Sequence, residues 1–448
     1  MEKKLALVQC PMWDIEFPPY NIALICAVLK GKRFEAECFD FNRSFHDLLP
    51  QEQYLWNISN PYGFWQSQKE VLSFLGRNKN IIEGAISSLE KFEILGFTLQ
   101  SLNFVFAVEL IKKIKERYPE KIILAGGPEC FINFSPEYLM STGMFDAVCL
   151  REAEIVLPEL LRKISNNEDW RTEGFLIKTG DGPLDCGQKE LVRCLDELPF
   201  ADFGFLNEQT EKISISTSRG CIAHCSFCIE KSHWSPHRFR SAVSVVEEIA
   251  FQKSRFSKLK FVYLNDSLIN GNMEGFSMFC DLMAVREMGV NWGGHILVRK
   301  EMTKGFLLKM KIAGAERLNF GIESGSDSVL KIMKKSFDTD LALRTLEYTK
   351  DAGISFSVNL VIGHPGESEE DFEKTRRFVN KIRALTDCIH INPCYVLKGS
   401  DLFENHKKWG MVLPEDYVTN WFLADGSNDS HIRSARVNAL LGNCSYRS

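Results

Sequence analysis

No run of apolar residues in this 448-residue chain approaches the roughly 20 needed to span a bilayer. The amino-terminal MEKKLALVQCPMWD holds two lysines and a few apolar residues, but Gln9, Pro11 and Asp14 interrupt it too soon for a signal peptide. Blocks of one charge are also missing: 54 Lys plus Arg and 59 Asp plus Glu are mixed along the chain and leave a formal net charge of −5. Neither a nucleic acid nor a membrane surface is thereby indicated as the main partner. Internal repeats and low-complexity tracts are absent too. These absences point to a cytoplasmic globular protein, and 45% hydrophobic with 25% charged residues is the matching balance.

What is present alternates. LALVQC (5–10) reads as a strand, NIALICAVLKGK as a helix and AECFDF as a second strand. After an aromatic-rich polar insertion (44–80) come FEILGFT, the helix FAVELIKKIKERYP, the strand KIILAGGP, the short strand FDAVCL and the helix IVLPELLRKI. Such alternation predicts a doubly wound, Rossmann-like parallel sheet with ligands at the carboxyl ends of its strands, where Gly126, Gly127 and Pro128 fall. From GFLIKTGDG to LDELPF the pattern turns hairpin-like and then linker-like, which puts a boundary near residue 195. The alternation restarts with KISISTS, LKFVYLN, VNWGGHILV, RLNFGIES, FSVNLVIG and CIHINPCYVL. Six units are too few for a closed eight-unit barrel, so an open (β/α)6 partial barrel is expected. The expected α/β domains are thus 1–195 and 196–400, followed by a small helical extension at 401–448.

Most of the fourteen cysteines, such as Cys26, Cys38, Cys149 and Cys280, lie in apolar strand or helix patterns and read as buried reduced thiols. Cys221, Cys225 and Cys228 are different: three thiols in eight positions, on the loop after the first strand of the second half. Thiolates suit zinc or iron-sulfur clusters. A structural zinc site is ordinarily closed by four ligands, and His224, between two of the cysteines, is poorly placed to be the fourth. A four-iron cluster on three cysteines instead keeps one iron open to a substrate or cofactor.

This C-x-x-x-C-x-x-C, in its barrel context and with Phe227 before the third cysteine, resembles the radical S-adenosylmethionine (SAM) superfamily. The resemblance covers most of 210–400. RLNFGIESGSDSVLKIMKK is similar to the fourth-strand segment of cobalamin-associated members, and VNLVIGHPGESEEDFEKT to their Gly-x-Pro-Gly-Glu segment. It implies that the three cysteines bind a [4Fe-4S] cluster whose open iron chelates SAM, and that an electron from the cluster yields methionine and a 5′-deoxyadenosyl radical. It further implies contacts of Glu323 and Ser324 with the ribose or methionine part, approach of the adenine to Gly363, Pro365 and Gly366, and pairing of Arg299 with the methionine carboxylate. Read by itself, Glu323 could equally be a helix-capping carboxylate. Where many relatives carry Gly-Gly-Glu after the second strand, this chain has Leu264-Asn265-Asp266, and Asp266 is the acidic substitute.

The first half resembles the cobalamin-binding domain of cobalamin-dependent radical SAM enzymes. The matching segments are Pro18-Pro19-Tyr20-Asn21, Gly96-Phe97-Thr98 with Ser101 and Asn103, Ala125-Gly126-Gly127-Pro128-Glu129, and Arg151-Glu152-Ala153-Glu154, where many relatives have Gly-Glu-Gly-Glu. By that resemblance Thr98, Ser101, Asn103, Gly126, Gly127, Pro128 and Glu152 would face cobalamin. No Asp-x-His-x-x-Gly occurs, and PMWDIEFPPYN after the first strand holds no histidine for cobalt. A nucleotide, or a scaffold without a ligand, are the other readings of this domain, although no G-x-G-x-x-G follows the first strand.

On the last barrel strand Cys388, His390, Asn392 and Cys394 share one face; if it looks into the barrel, Cys394 could give a hydrogen atom or proton. Trp56, Phe64 and Trp65 read as packing residues. His224, Trp234 and His237 could shield the cluster loop from water. The function expected is methylation of an unactivated carbon via a 5′-deoxyadenosyl radical and methylcobalamin. A cyclase, rearrangement or oxidoreductase reaction without methyl transfer is one alternative, and a non-catalytic iron-sulfur or cobalamin-binding sensor another. The substrate could be a small molecule, a lipid precursor or a peptide, with an external electron donor such as a flavodoxin or ferredoxin.

Overall fold

A computed structural model describes residues 3–57, 63–130, 136–187 and 191–441; parts of the aromatic insertion (58–62) and of the extension (442–448) lie outside the described residues. The chain forms two compact units, Met1–Ser214 and Ile215–Ser448.

In the first unit the strands β1 (Leu5–Gln9), β2 (Ala36–Asp40), β3 (Ile94–Thr98), β4 (Ile122–Gly126), β5 (Ala147–Cys149), β6 (Phe175–Thr179) and β7 (Gly182–Asp185) lie in the order β2-β1-β3-β4-β5-β6-β7. The first five pair in parallel, and β6 and β7 add an antiparallel hairpin at one edge. Alternate residues feed opposite faces, as a sheet covered on both sides requires. Leu5, Leu7, Ile94 and Leu124 pack with Ile22, Leu29, Leu157 and Leu160, whereas Ala6, Val8, Leu95 and Phe97 pack with Phe45, Trp56, Trp65 and Phe106. The aromatic insertion is therefore core, with Trp56 and Trp65 edge to face at 5.1 Å. Strand order reverses between β1 and β3, the position at which such sheets take ligands. The boundary falls at 214 rather than 195 because the following stretch is tied back: Asp202 N donates to Ala23 O (3.0 Å), and Lys212 pairs with Glu16 (2.7 Å).

The second unit begins in β8 (Lys212–Ile215), followed by the short antiparallel pair β9 (Ser218–Arg219) and β10 (Arg238–Phe239). Then come β11 (Phe261–Leu264), β12 (Asn291–Ile296), β13 (Ala315–Glu323), β14 (Ser355–Ile362) and β15 (Cys388–Pro393), giving a sheet of order β15-β14-β13-β12-β11-β8. The pairs from β11 to β15 are parallel. Intervening helices start where side chains accept from the first-turn backbone, as Ser241, Asn272, Thr303 and Ser368 do.

One face of this sheet, with Val262, Trp292, Leu318, Phe320, Val358 and Leu360, is fully buried and apolar. The other is polar: Asn319 Nδ2 donates to Tyr263 Oη (2.9 Å) and Ser357 Oγ to Asn319 Oδ1 (2.6 Å). Cys388 and His390 lie in register with Ser357 and Asn359 on that polar face. The extension is only partly helical. It contains the antiparallel pair β16 (Met411–Val412) and β17 (Phe422–Leu423) before the helix Ser430–Leu441, which packs on β14 and β15.

Backbone crowding fixes the join of β12 and β13. A Cβ at Gly293 would collide with the Arg317 carbonyl and sit 3.0 Å from the Phe261 ring. Gly293→Ala is expected to lower the second unit's stability by about 1–3 kcal/mol in denaturant unfolding; an unchanged midpoint would show that the strands can part there without cost.

Candidate functional site: a three-cysteine loop

The three cysteines follow β9 on the loop at the carboxyl end of β8. Gly220 opens it with φ +77°, and a Cβ there would strike the Trp234 carbonyl, so the loop closes on itself only with glycine. Ala223 N donates to Cys221 Sγ (3.4 Å) and Cys228 N to Cys225 O (3.2 Å). Burial pushes all three thiols up, Cys228 to about 12; charge on Cys225 raises Cys221 further, and Cys228 feels both of the others. Among the described residues no three His, Cys, Asp or Glu side chains converge closely enough to hold a single metal ion.

Lys335, which the sequence pattern did not single out, supplies the positive charge. Its buried Nζ donates to Gly321 O (3.0 Å) and Glu323 Oε1 (3.1 Å). Burial opposes its charge, but Glu323 and Cys225 outweigh that and hold its pKa above the ordinary lysine value; Lys335 in turn lowers the Cys225 thiol. Glu323 ends β13 in the left-handed region at φ +75°, a conformation costly for a residue with a Cβ. Its carboxylate folds back so far that a Cβ on Gly321 would lie 2.6 Å from Oε1. The Ser324 hydroxyl is turned away, 3.1 Å from Thr375 Oγ1 and accepting from Ser326 N (3.2 Å), so it braces the next helix instead of facing a ligand.

Asp266 likewise differs from expectation. Fully buried, it accepts from Ser216 Oγ (3.0 Å), Thr217 N (2.8 Å), Thr217 Oγ1 and Ser218 Oγ (3.1 Å). Four donors from the strand that leads into the cysteine loop saturate it, and it anchors that strand rather than standing free for a methionine amine. Arg299 Nη1 donates to Asn270 O (3.1 Å) and Gly271 O (3.0 Å), while Nη2 meets Glu301 at 3.4 Å. One arm of the fork is therefore taken by the β11 loop.

At the glycines expected to lie against an adenine, the Cβ direction points into the protein itself. Gly363 (φ +80°) lies under the Arg433 stem: a Cβ there would collide with Arg433 Cγ and lie 2.7 Å from Cδ. At Gly366 (φ +90°) a Cβ would meet Ile332 at 3.1 Å, and the Pro365 carbonyl accepts from His364 Nδ1 (2.8 Å). Cys394 is wholly buried with Val396, Leu402, Met411 and Trp421, and burial pushes its thiol up to about 12. It is a core residue beneath the extension, not an open donor on the polar face.

In the first unit the expected residues gather at the carboxyl ends of β3 and β4, mostly tied to one another. Asn21 Nδ2 donates to Thr98 Oγ1 (3.0 Å), Ser101 Oγ to Glu129 Oε2 (2.9 Å) and Asn103 Nδ2 to Thr98 O (3.0 Å). Asn103 is fully buried and also accepts from Gln100 N (2.8 Å), so it is a loop brace. Glu152 accepts from Val192 N (2.7 Å) in the same manner. Gly127 (φ +96°) turns the chain against Leu99, whose carbonyl would be 2.7 Å from a Cβ, and Pro128 opens a short 3-10 turn. Gly126 alone leaves open backbone, with nothing nearer than 3.9 Å to a Cβ position. Thr98, facing Gly126 in the β3–β4 register, and Ser101 thus lie near one another at the carboxyl ends of these strands.

The radical SAM superfamily profile matches residues 215–379, which span the cysteine loop through the helix after β14. That match, with a three-thiol loop at the head of a six-stranded sheet, makes the second unit similar to the radical SAM superfamily over those residues. The fold of both units recurs in TsrM from Kitasatospora setae, a radical SAM methyltransferase solved with cobalamin and a [4Fe-4S] cluster (TM-score 0.67, 15% identity, covering 90% of this chain and 74% of that one). It recurs also in the cobalamin-dependent SAM radical enzyme OxsB with aqua-cobalamin (TM-score 0.71, 15% identity, 98% of this chain and 66% of that one). In sequence the chain is 28% identical to the cytidylyl-2-hydroxyethylphosphonate methyltransferase of Streptomyces wedmorensis, over 89% of this chain and 79% of that protein.

Glu367, which accepts from Gly363 N (2.7 Å) and Arg436 Nη1 (3.1 Å), gives a pH signature. Burial outweighs those donors and raises its pKa from 4.5 to about 7. Between these values the folded chain holds a proton that the unfolded chain has released, so stability is greatest at the acid end and falls as pH rises through 7. The thermal midpoint should drop more between pH 5 and 8 in the native chain than in Glu367→Gln; parallel slopes would contradict the assignment.

Proposed function

We propose that this chain is a cobalamin-dependent radical SAM methyltransferase acting on an unactivated carbon. The observation that carries it is the loop of three half-buried thiols at the carboxyl end of β8, with the buried ammonium of Lys335 beside Cys225. Cys221, Cys225 and Cys228 would hold the [4Fe-4S] cluster, which when bound to SAM supplies the electron for cleavage of its sulfonium. Lys335 offsets the negative charge of the thiolates. Glu323, held through Oε1, keeps its second oxygen for a hydroxyl or ammonium of SAM. The rim of Thr98, Ser101 and Gly126 would take cobalamin, which supplies the methyl-carrying chemistry. The polar face of Tyr263, Asn319, Ser357 and His390 is the surface offered to a substrate, and an external one-electron donor of flavodoxin or ferredoxin type completes the system. Methyl transfer is supported by the methyltransferase descriptions of TsrM and of the phosphonate enzyme.

The test is anaerobic reconstitution with iron, sulfide and cobalamin, reduction in the presence of SAM, and mass analysis. Both S-adenosylhomocysteine, the mark of methyl transfer, and 5′-deoxyadenosine, the mark of radical cleavage, are expected. Cys225→Ala should lose the cluster absorbance and at least about a hundredfold in cleavage. 5′-Deoxyadenosine alone would refute the methyl-transfer reading, and neither product would refute both.

A further inference from the structure

The cradle over Gly363 is filled by a residue from the far end of the chain, and the contacts around it form an unbroken path to the cysteine loop. Arg433, on the helix Ser430–Leu441, is almost wholly buried, with its guanidinium 3.8 Å from the Trp421 ring centroid. Nη2 donates to Thr419 O (2.7 Å) and Trp421 O (2.8 Å), and Nη1 to Asn428 Oδ1 (3.1 Å). Asn428 Nδ2 then donates to Gly363 O (2.9 Å). Two buried partners, Trp421 and Asn428, with the Thr419 carbonyl and a stacked ring, are an expensive arrangement for a charged side chain unless geometry there is at a premium.

From Gly363 the path runs through its neighbour. The Pro365 carbonyl can only accept, so His364 Nδ1 carries the ring proton, and Nε2 accepts from the Ser226 hydroxyl at 2.7 Å. Ser226 sits between Cys225 and Cys228. Its backbone is held on both sides, N donating to Met333 O (3.2 Å) and O accepting from Leu402 N (3.0 Å), the latter again from the extension. His364 is further fixed edge-on to Trp409 at 5.3 Å.

We propose that Arg433 is a positioning residue for the cysteine loop: it locks the Gly363–Glu367 turn, and the His364–Ser226 hydrogen bond passes that order to Cys225 and Cys228. The carboxyl-terminal segment is on this view a working part of the cluster site. The inference rests on the proposed cluster, so the native chain is the first control: if it takes up no iron-sulfur cluster, that reading fails and not this one.

The test uses the full chain, reconstituted anaerobically with iron and sulfide. Arg433→Met keeps the aliphatic stem over Gly363 and removes the guanidinium; Ser226→Ala removes only the hydroxyl at the other end of the path. Both variants are expected to keep the native circular dichroism and to take up iron. Both should show the same altered electron paramagnetic resonance signal of the reduced cluster and a weakening of SAM binding by about tenfold, with the double variant no worse than either. A native signal and native SAM affinity in Ser226→Ala would overturn the proposal even if Arg433→Met fails to fold, and additive losses in the double variant would overturn the path.

Discussion

Three thiols sit in a loop where burial raises the pKa of each, to about 12 for Cys228, so none would ionise unaided near neutral pH. Thiolates in such surroundings need positive charge within a few ångströms, and the protein provides one buried lysine for the purpose. Lys335 is itself tolerable only because Glu323 meets it, and Glu323 reaches it only from a left-handed backbone beside a glycine. The chain of dependence therefore runs from the thiols to the lysine, then to the glutamate and the end of β13.

The same constraint explains how much of the second unit is spent on holding the loop still. Asp266 gathers four donors just upstream of the first cysteine. Arg240 is fastened to Ser216 O (3.0 Å), Ser244 Oγ (2.9 Å) and Glu248, behind the same strand. Ser226 is pinned from three directions inside the loop. A ligand loop made only of thiols and exposed backbone would adopt many geometries; buried polar contacts at its entry and middle leave it few.

Both architectures could be read in the sequence because each depends on strong, repeated local signals: near-continuous apolar strands, amphipathic helices and a restart of the pattern midway. The cysteine triplet was equally plain, since its spacing carries the chemistry. What could not be read was which polar residues the protein uses on itself. Asp266, Ser324, Asn103 and Glu152 have the chemistry of ligands and are consumed as braces, because the donors that saturate them come from backbone whose placement no short motif records. Nor could the sequence show that the Cβ side of Gly363 lies against the stem of Arg433, 70 residues further on. Lys335 lay within a matched segment but in a Lys-Lys pair, where nothing local distinguishes a buried countercharge from a solvated one.

The centre proposed is a cluster of four irons on three cysteines, with one iron left to bind SAM. Mössbauer spectroscopy of the chain reconstituted with iron-57 addresses that most directly. A four-iron spectrum is expected in which SAM displaces the parameters of one iron in four and leaves the others in place. A spectrum indifferent to SAM, or a metal analysis showing one tetrahedral zinc in place of iron, would contradict it.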